Sequence, residues 1–585
     1  MKDSYKLIPE PLRKFGKMFK LKQGKEVIPY KLYNNVFSSY GISKIWYKEK
    51  YVYDAVVDEC GLDNLEQFKD NCKKWDIIKN GEINIMEYSR RYCEIDCEVL
   101  RKGYEIFKSW IKTLGDESAV KVDLNIDDII SVASLAHSYL ISQGCYEGIN
   151  MMSGKPREFI QKCVVGGRTM TNSNKKWKIS GGKLADNDCT SLYPSAIYQM
   201  LGFLKGNPIV LKNTDLKTCL SYDGIFVRCL ITKVDIHRQF PLASVMTESG
   251  VRDFTNDLVG KEIYLDKQSI LDLQEFQKVE LNILEGYYYN SGRNPISKSV
   301  IRYLFDTRVQ KKKEKNPIQA VYKLIMNSAY GKTILRPIVD DIMVINKTGF
   351  DKKTKKYVDN WKNYLGKNYN YIKDFTDCGK VVVVKKHKSI LEHYNNAHIG
   401  VEVLSKSKNI MNKVMCLGED LGLKQYTQDT DSIHMDYDEV EIMRQAYNKK
   451  YNTEIIGTDM GQFHIDFDLE GSVGDIWATD SIFLGKKCYI DKLESRDKDN
   501  KPIYGHHIRM KGITHSSIDY TAKKDFGGDV LKMYEHLFDG KSVNFDLLCG
   551  GTKDMFKSEK DMTIRTLKSG EFSRSVSFKY EIGVF

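Results

Sequence analysis

Two aspartates separated by one residue, Asp429 and Asp431, stand in the stretch KQYTQDTDSIHMDY that begins at Lys424. The flanking residues have strand character, so the spacing predicts a β-hairpin with the acidic pair at its tip. On an extended strand, residues two apart point to one face, and both carboxylates converge. Like charges at that distance repel, and burying them is costly without a cation. Such a triplet is either an ordinary polar turn or part of a cation site. Asp188 weighs for the second. It ends the run GGKLADND and precedes the turn-to-helix sequence SLYPSAIYQM, which places a carboxylate at a strand end facing the hairpin tip across a sheet. Three carboxylates can hold two divalent ions about 3.5–4 Å apart, one activating a hydroxyl and one stabilising a leaving oxygen. Mg²⁺ suits such a site because it takes one or two carboxylates plus substrate phosphates. The implied chemistry is phosphoryl or nucleotidyl transfer.

The rest of the composition is compatible with that chemistry. Lys and Arg number 90 against 78 Asp and Glu, a net charge of +12, which favours a polyanionic partner through counterion release. A chain of 585 residues has room for about three to five domains. No apolar run reaches the ~18–20 residues of a membrane span, and the opening MKDSYKLIPE has no apolar core of a secretory signal. No membrane partner is expected. The 13 cysteines include no CxxC pair, and Cys93 and Cys97 lack a matching second pair. Reduced, mostly buried thiols in an intracellular, reducing compartment are the expectation.

Along the chain, 84–112 and 123–143 show the three- and four-residue apolar spacing of amphipathic helices. Residues 201–296 are strand-like and mixed. Residues 297–330 read as two helices broken at Asn316-Pro317, and 398–418 reads as another. Residues 333–397 look like an inserted small β unit or a long excursion. On the second helix of the pair, Lys323, Asn327 and Tyr330 are spaced i, i+4, i+7 and share one face. Gly331 then allows close backbone approach. The run KKKEK at 311–315 is either a solvated helix face or a phosphate contact.

Taken together, DCTSLYPS at 188–195, KLIMNSAYG at 323–331 and DTDS at 429–432 resemble motifs A, B and C of the family B DNA polymerases. KCY at 487–489 resembles the KxY motif of the protein-primed subgroup, the polymerases of small bacteriophages, adenoviruses and linear plasmids. The resemblance implies an α+β multidomain, right-hand polymerase with palm, fingers and thumb. Its implied divisions are a truncated RNase H-like exonuclease domain at 1–128, palm at 129–200 and 398–513, fingers at 297–333 and thumb at 514–585. Inserted regions fall at 201–296 and 334–397, where the subgroup places elements for terminal-protein and DNA docking and for processivity.

The resemblance also implies roles. Asp188 and Asp431, with Asp429 beside them and the Cys189 carbonyl, would hold two Mg²⁺ ions, with Mn²⁺ as a substitute. Tyr193 would exclude a ribose 2′-hydroxyl. Lys323, Asn327 and Tyr330 would hold the incoming dNTP. Among Arg308, Lys311 and Lys312, one or two would add phosphate contacts. Ser191, Gly166, Gly167, Gly331, Lys487 and Tyr489 would face primer-template DNA, and Lys511 would be a possible backbone contact. A terminal protein would supply the first hydroxyl. A non-catalytic DNA-binding remnant is the alternative, and an RNA-making palm is a third that Tyr193 disfavours.

At the front, Tyr92 and Asp96 match the YxxxD exonuclease motif, and Lys25 with Ile28 resembles the element that precedes it. No DxE and no Nx(2–3)(F/Y)D lies before residue 92. The expectation is a chain that does not proofread alone, from a split or truncated gene or with the domain kept as a scaffold, and with a separately encoded exonuclease segment as a possible partner. In VVGGR at 164–168, Val164 stands where the subgroup usually has Tyr, while Gly166 and Gly167 remain. This agrees with a lost exonuclease.

Overall fold

The computed structural model describes residues 3–22, 24–29, 32–33, 37–38, 41–42, 45–112, 114, 124–248, 250–335, 338–351, 354–388, 394–547, 556–558, 564–566 and 572–585. At its centre lies an eight-stranded sheet. Its strands are β1 (Thr169–Thr171), β2 (Trp177–Cys189), β3 (Gln425–Asp429), β4 (Ser432–Asp436), β5 (Phe463–Ile465), β6 (Trp477–Gly485), β7 (Cys488–Arg496) and β8 (Pro502–Met510). The order across the sheet is β8-β7-β6-β2-β4-β3-β1, with β5 paired to β2, and every pairing is antiparallel. In β2, Leu184 to Asn187 are all buried, so both faces of the strand are covered there.

Helices pack around that sheet. They are α1 (Ile85–Lys112), α2 (Leu192–Gln199), α3 (Ile296–Lys313), α4 (Gln319–Ser328) and α5 (Ala397–Asp420). The break between α3 and α4 falls at the expected Asn316-Pro317, where Lys315 adopts a left-handed φ of 51°. Ile197 of α2, Leu304 of α3, Ile325 of α4, Met411 of α5 and Ile433 of β4 share one core. Helix α5 is buried around most of its circumference, polar residues included. Most of those polar groups are partnered; the His398 ring instead stacks on Tyr289 at 5.0 Å. Ser405 donates to Asp266 at 2.6 Å, and Asn409 and Asn412 donate to Asp272 at 2.7 and 2.8 Å.

Asp266 and Asp272 belong to the stretch 201–296, expected to be the first inserted region, which joins α5 through a polar seam. Its four-stranded sheet runs in the order Glu262–Asp266, Gly224–Val234, Val279–Tyr289, Ile209–Val210. The stretch expected to be the second inserted region holds a three-stranded sheet, a two-stranded hairpin (Thr348–Asp351 with Lys356–Asp359) and the helix Asn360–Asn368. The helices His515–Asp525 and Val530–Phe538 pack on β6 and β7 through Tyr534, Leu537 and Ile490. The last residues, 581–585, lie against the start of β2. The Gly583 amide donates to the Lys176 carbonyl at 2.8 Å, the Lys176 amide donates to the Glu581 carbonyl at 2.7 Å, and the Phe585 and Trp177 ring centroids are 4.4 Å apart. The helix expected over 123–143 is shorter and covers Val132–Ser142, because Ser131 caps it by accepting from the Ser134 amide at 3.3 Å. Part of that expectation, 123, lies outside the described residues. No helix among the described residues is long and apolar enough to cross a membrane.

Candidate active site

The hairpin predicted around the acidic pair is β3 and β4, and its tip meets the end of β2. Ser432 and Asp188 are register partners, and the Cys189 amide donates to the Asp431 carbonyl at 2.8 Å. A tight turn closes the tip, with Thr430 at φ 70° and the Asp431 amide bonded to the Asp429 carbonyl at 2.9 Å. These bonds bring Asp188 and Asp431 side by side from stretches over 200 residues apart. Burial pushes the Asp188 carboxyl up to about 8, with Asp431, Asp466 and Asp186 adding to the rise and Lys323 opposing it. Burial also pushes Asp431 up to about 6; its own backbone amide and Lys487 oppose this, and Asp429 and Asp186 add to it. The protein's own cations therefore leave the acidic pair under-neutralised. Oxygen donors in that condition fit a hard divalent ion such as Mg²⁺.

Asp429 differs from its neighbours. The Lys487 ammonium lies 2.6 Å from its carboxylate. Lys487 sits in the turn between β6 and β7 with a left-handed φ of 56°, ahead of the strand that carries Tyr489, so the two do not share a strand face. Tyr489 is 2% exposed and packs against His434 and Phe483, with centroids 5.0 and 5.9 Å away. Its ring supports the sheet rather than standing open to a strand of DNA. The turn itself is tied to Lys511, whose amide donates to the Lys487 carbonyl at 3.1 Å. The Cys189 thiol is buried, and burial raises its pKa well above the ordinary range.

After β2 the chain turns through Ser191, which holds a left-handed φ of 52°, into α2. Ser195 fastens the turn by donating to the Ser191 and Thr190 carbonyls at 2.8 and 3.1 Å. The turn aims Tyr193 at Tyr330, and the two rings lie 4.4 Å apart with a 31° tilt. Lys323 and Asn327 are exposed on the same side of α4. Arg308 on α3 donates to the Ser191 hydroxyl at 3.4 Å, and burial lowers its pKa. Lys311 is paired with Glu314 at 3.1 Å, and Lys312 is exposed. Motifs A, B and C thus line one region.

The Gly166–Gly167 linker reaches the same place. A Cβ on Gly167 would fall 2.5 Å from Thr430, between the two hairpin aspartates, and the Thr430 amide donates to the Arg168 carbonyl at 2.9 Å. Lys408 of α5 holds the preceding Val165 carbonyl at 2.6 Å. Space around Gly166 and Gly331 is open, and Val164 packs on a buried cluster that includes Ile160 and Val401. Farther off, Lys25, Tyr92 and Asp96 come together: the Lys25 ammonium is 3.9 Å from Asp96 and 5.7 Å from the Tyr92 ring centre. Ile28 is buried in the same N-terminal core.

Sequence reasoning missed three groups. His464 is the register partner of Asp188, and its ring nitrogen lies 3.2 Å from the Thr190 hydroxyl. Asp466 contributes negative charge at Asp188, and its amide donates to the Asp186 carbonyl at 3.0 Å. Asp186 lies two residues before Asp188, a period-two signal that was present in LADND. The pairing of β5 with β2 carried no comparable signal.

Comparison with known proteins bears on the family and the fold. The family described as DNA polymerase type B, organellar and viral, matches residues 1–416. A probable DNA polymerase of Ascobolus immersus is 23% identical over 529 residues, which cover 89% of this chain and 38% of the relative. The chain therefore spans well under half of that relative's length. The DNA polymerase of Acidianus bottle-shaped virus (isolate Italy/Pozzuoli) is 46% identical over 56 residues, 9% of each chain. Among solved structures, Phi29 DNA polymerase complexed with primer-template DNA superposes with a TM-score of 0.58 at 14% identity, covering 98% of this chain and 79% of that one. The Phi29 ternary complex, with primer-template DNA and incoming nucleotide substrates, gives 0.58 at 16% identity, covering 99% and 80%. These likenesses establish a shared fold, and the family match shows that the chain belongs to the organellar and viral type B DNA polymerases.

Proposed function

We propose that this chain is a DNA-templated DNA polymerase that adds deoxynucleotides to a primer 3′-hydroxyl, using two divalent ions at Asp188 and Asp431. The observation that carries this reading is the Cys189–Asp431 backbone bond, which sets two under-neutralised carboxylates side by side. Asp188 and Asp431 would hold the ions, with the Cys189 carbonyl nearby, while Asp429 stays fixed by Lys487. Mg²⁺, or Mn²⁺ in its place, supplies Lewis acidity that eases loss of the 3′-hydroxyl proton and neutralises charge on departing pyrophosphate. Lys323, Asn327 and Arg308 would orient the triphosphate from the exposed side of α3 and α4. The Tyr193–Tyr330 pair forms a wall that a 2′-hydroxyl would have to displace. The similarity to Phi29 DNA polymerase complexed with primer-template DNA and with incoming nucleotide substrates supports DNA and dNTPs as partners.

Protein priming is part of the proposal. The KCY motif, the Gly166–Gly167 linker against motif C and the two inserted regions support it, with a Ser, Thr or Tyr hydroxyl of a terminal protein as first acceptor. In the second inserted region, Tyr357, Tyr369, Tyr371 and Phe375 are exposed among lysines, a combination suited to stacking on single-stranded DNA. Lys25, Tyr92 and Asp96 supply one carboxylate, and one carboxylate does not hold two Mg²⁺. We therefore propose that the 585-residue chain does not proofread by itself.

Primer extension with dNTPs and Mg²⁺ tests the central reading. Wild type is expected to extend the primer, and Asp431→Ala is expected to fail. Wild type that binds primer-template but never extends it would instead identify a DNA-binding remnant, and efficient extension with rNTPs would reassign the substrate.

A further inference from the structure

A row of polar side chains crosses the palm behind the acidic pair. Asp186 of β2 and His434 of β4 are register partners, as are Asp491 of β7 and His507 of β8. Ser481 of β6, the register partner of Asp491, donates to it at 2.7 Å. His434 is fully buried, and each of its nitrogens faces a carboxylate: Nδ1 lies 3.4 Å from Asp186 and Nε2 lies 3.2 Å from Asp491. His507 Nδ1 lies 3.2 Å from the same Asp491 oxygen. Phe483 and Tyr489 close round the His434 ring at 5.1 and 5.0 Å.

The topology makes this contact unusual. In sheet order, β4 and β7 are three places apart, about 14 Å in a flat sheet at ordinary strand spacing. His434 bridges them only because the sheet curls over its own face. One side chain thus ties together the motif C strand, the motif A strand through Asp186, and the strand that carries Tyr489. Asp186 also adds to the negative charge at both Asp188 and Asp431. Burial alone would lower the His434 pKa, yet Asp186 and Asp491 hold it up at about 9, so both nitrogens carry protons: Nε2 is hydrogen-bonded to Asp491, and Nδ1 faces Asp186 as an ion pair.

We infer that His434 is a positioning residue that acts through two separate arms. The Asp186 arm tunes the field and spacing of the Asp188–Asp431 pair, and the Asp491 arm holds the Tyr489 strand where the primer end would lie. This inference rests on the polymerase reading above. Asp186, His434 and His507 present ligand atoms within 4.8 Å of one another; on this inference the His434 imidazolium stands where a cation would otherwise sit.

The two arms separate by substitution. An Asn amide can occupy the Nδ1 position and a Gln amide the Nε2 position, so His434→Asn keeps the Asp186 arm and His434→Gln keeps the Asp491 arm. His434→Gln is expected to raise the half-saturating Mg²⁺ concentration roughly ten-fold, with the primer-template KM within about two-fold of wild type. His434→Asn is expected to show the reverse split, a raised primer-template KM with a near-normal Mg²⁺ requirement. Asp186→Asn, which preserves shape, should reproduce the Mg²⁺ effect of His434→Gln and add little to it in the double variant. Parallel loss in both His434 variants that tracks their melting temperatures would overturn the inference, as would wild-type kinetics in both. So would stoichiometric zinc in the purified wild-type protein. Absence of extension by wild type would instead count against the polymerase reading.

Discussion

Asp186 and Asp188 lie two residues apart on β2, yet the fold treats them in opposite ways. Asp186 faces His434, a protein cation shared with Asp491 and enclosed by aromatic rings. Asp188 faces Asp431 and Asp466, with the exposed Lys323 as its main opposing charge. One end of the row is closed around a shared protein cation, although burial raises the Asp186 carboxyl there too; the other has no such cation enclosed with it. A buried carboxylate with its own counter-ion is part of the scaffold, whereas one without it creates a demand that an external cation must meet. The distinction separates structural from chemical acids within a single strand.

The most severe way to break this comparison is at the open end. Asp431→Asn should reduce the primer-extension rate on the order of 10³-fold or more, measured in single-turnover assays with primer-template DNA bound. Activity within ten-fold of wild type would mean that the open end does not carry the chemistry. Next comes the wall beside it. Tyr193→Val should lower discrimination against rNTPs by roughly 10²-fold, read as the ratio of kcat/KM for dNTP and rNTP, with a much smaller change in dNTP turnover.

Protons sharpen the comparison further. Asp188 and Asp431 are pushed up to about 8 and about 6, so near neutral pH protons compete with metal at the open end. The half-saturating Mg²⁺ concentration should fall roughly ten-fold between pH 6.5 and 7.5 and level off above about pH 8. A flat profile over that range would contradict the shared, under-neutralised site. The smallest effects are on stability, and their signs should oppose. For Asp188 the folded-state pKa is raised, so the folded chain binds more protons and loses stability as pH rises from about 4 toward 8. Asp188→Asn should therefore raise the melting temperature by roughly 1–3 °C at pH 8 without Mg²⁺. The two histidines hold Asp491 well below its usual range against the opposing effect of burial. That contribution is present above the unfolded carboxylate pKa and is lost as pH falls, so Asp491→Asn should lower the melting temperature under the same conditions.

Much of the open end was legible in the sequence. The DTDS hairpin, the turn after Asp188, and the i, i+4, i+7 face of Lys323, Asn327 and Tyr330 depend on local geometry, and the chain folds there as its periodicity predicts. The long helices and the break at Asn316-Pro317 are legible for the same reason. The closed end was not. Nothing in SIHMDY announces that His434 will meet Asp491, because that contact depends on how far the sheet curls. The geometry of the KxY motif also depends on the fold. Period-two reasoning puts Lys487 and Tyr489 on one face, but the reversal at Lys487 precedes the strand, so one side chain pairs with Asp429 and the other is buried. His464 and Asp466 were invisible because β5 is a short strand joined to β2 across a long sequence interval.

Gly167 carries a consequence for how such a chain can change over time. Its missing side chain is the room in which Thr430 sits, 2.5 Å from where a Cβ would be. Any larger residue there would shove the hairpin tip and, with it, the acids on either side of Thr430. A short connector about 260 positions upstream is therefore under the same selection as the chemistry it touches. Variation in one should be tolerated only when the other shifts to match.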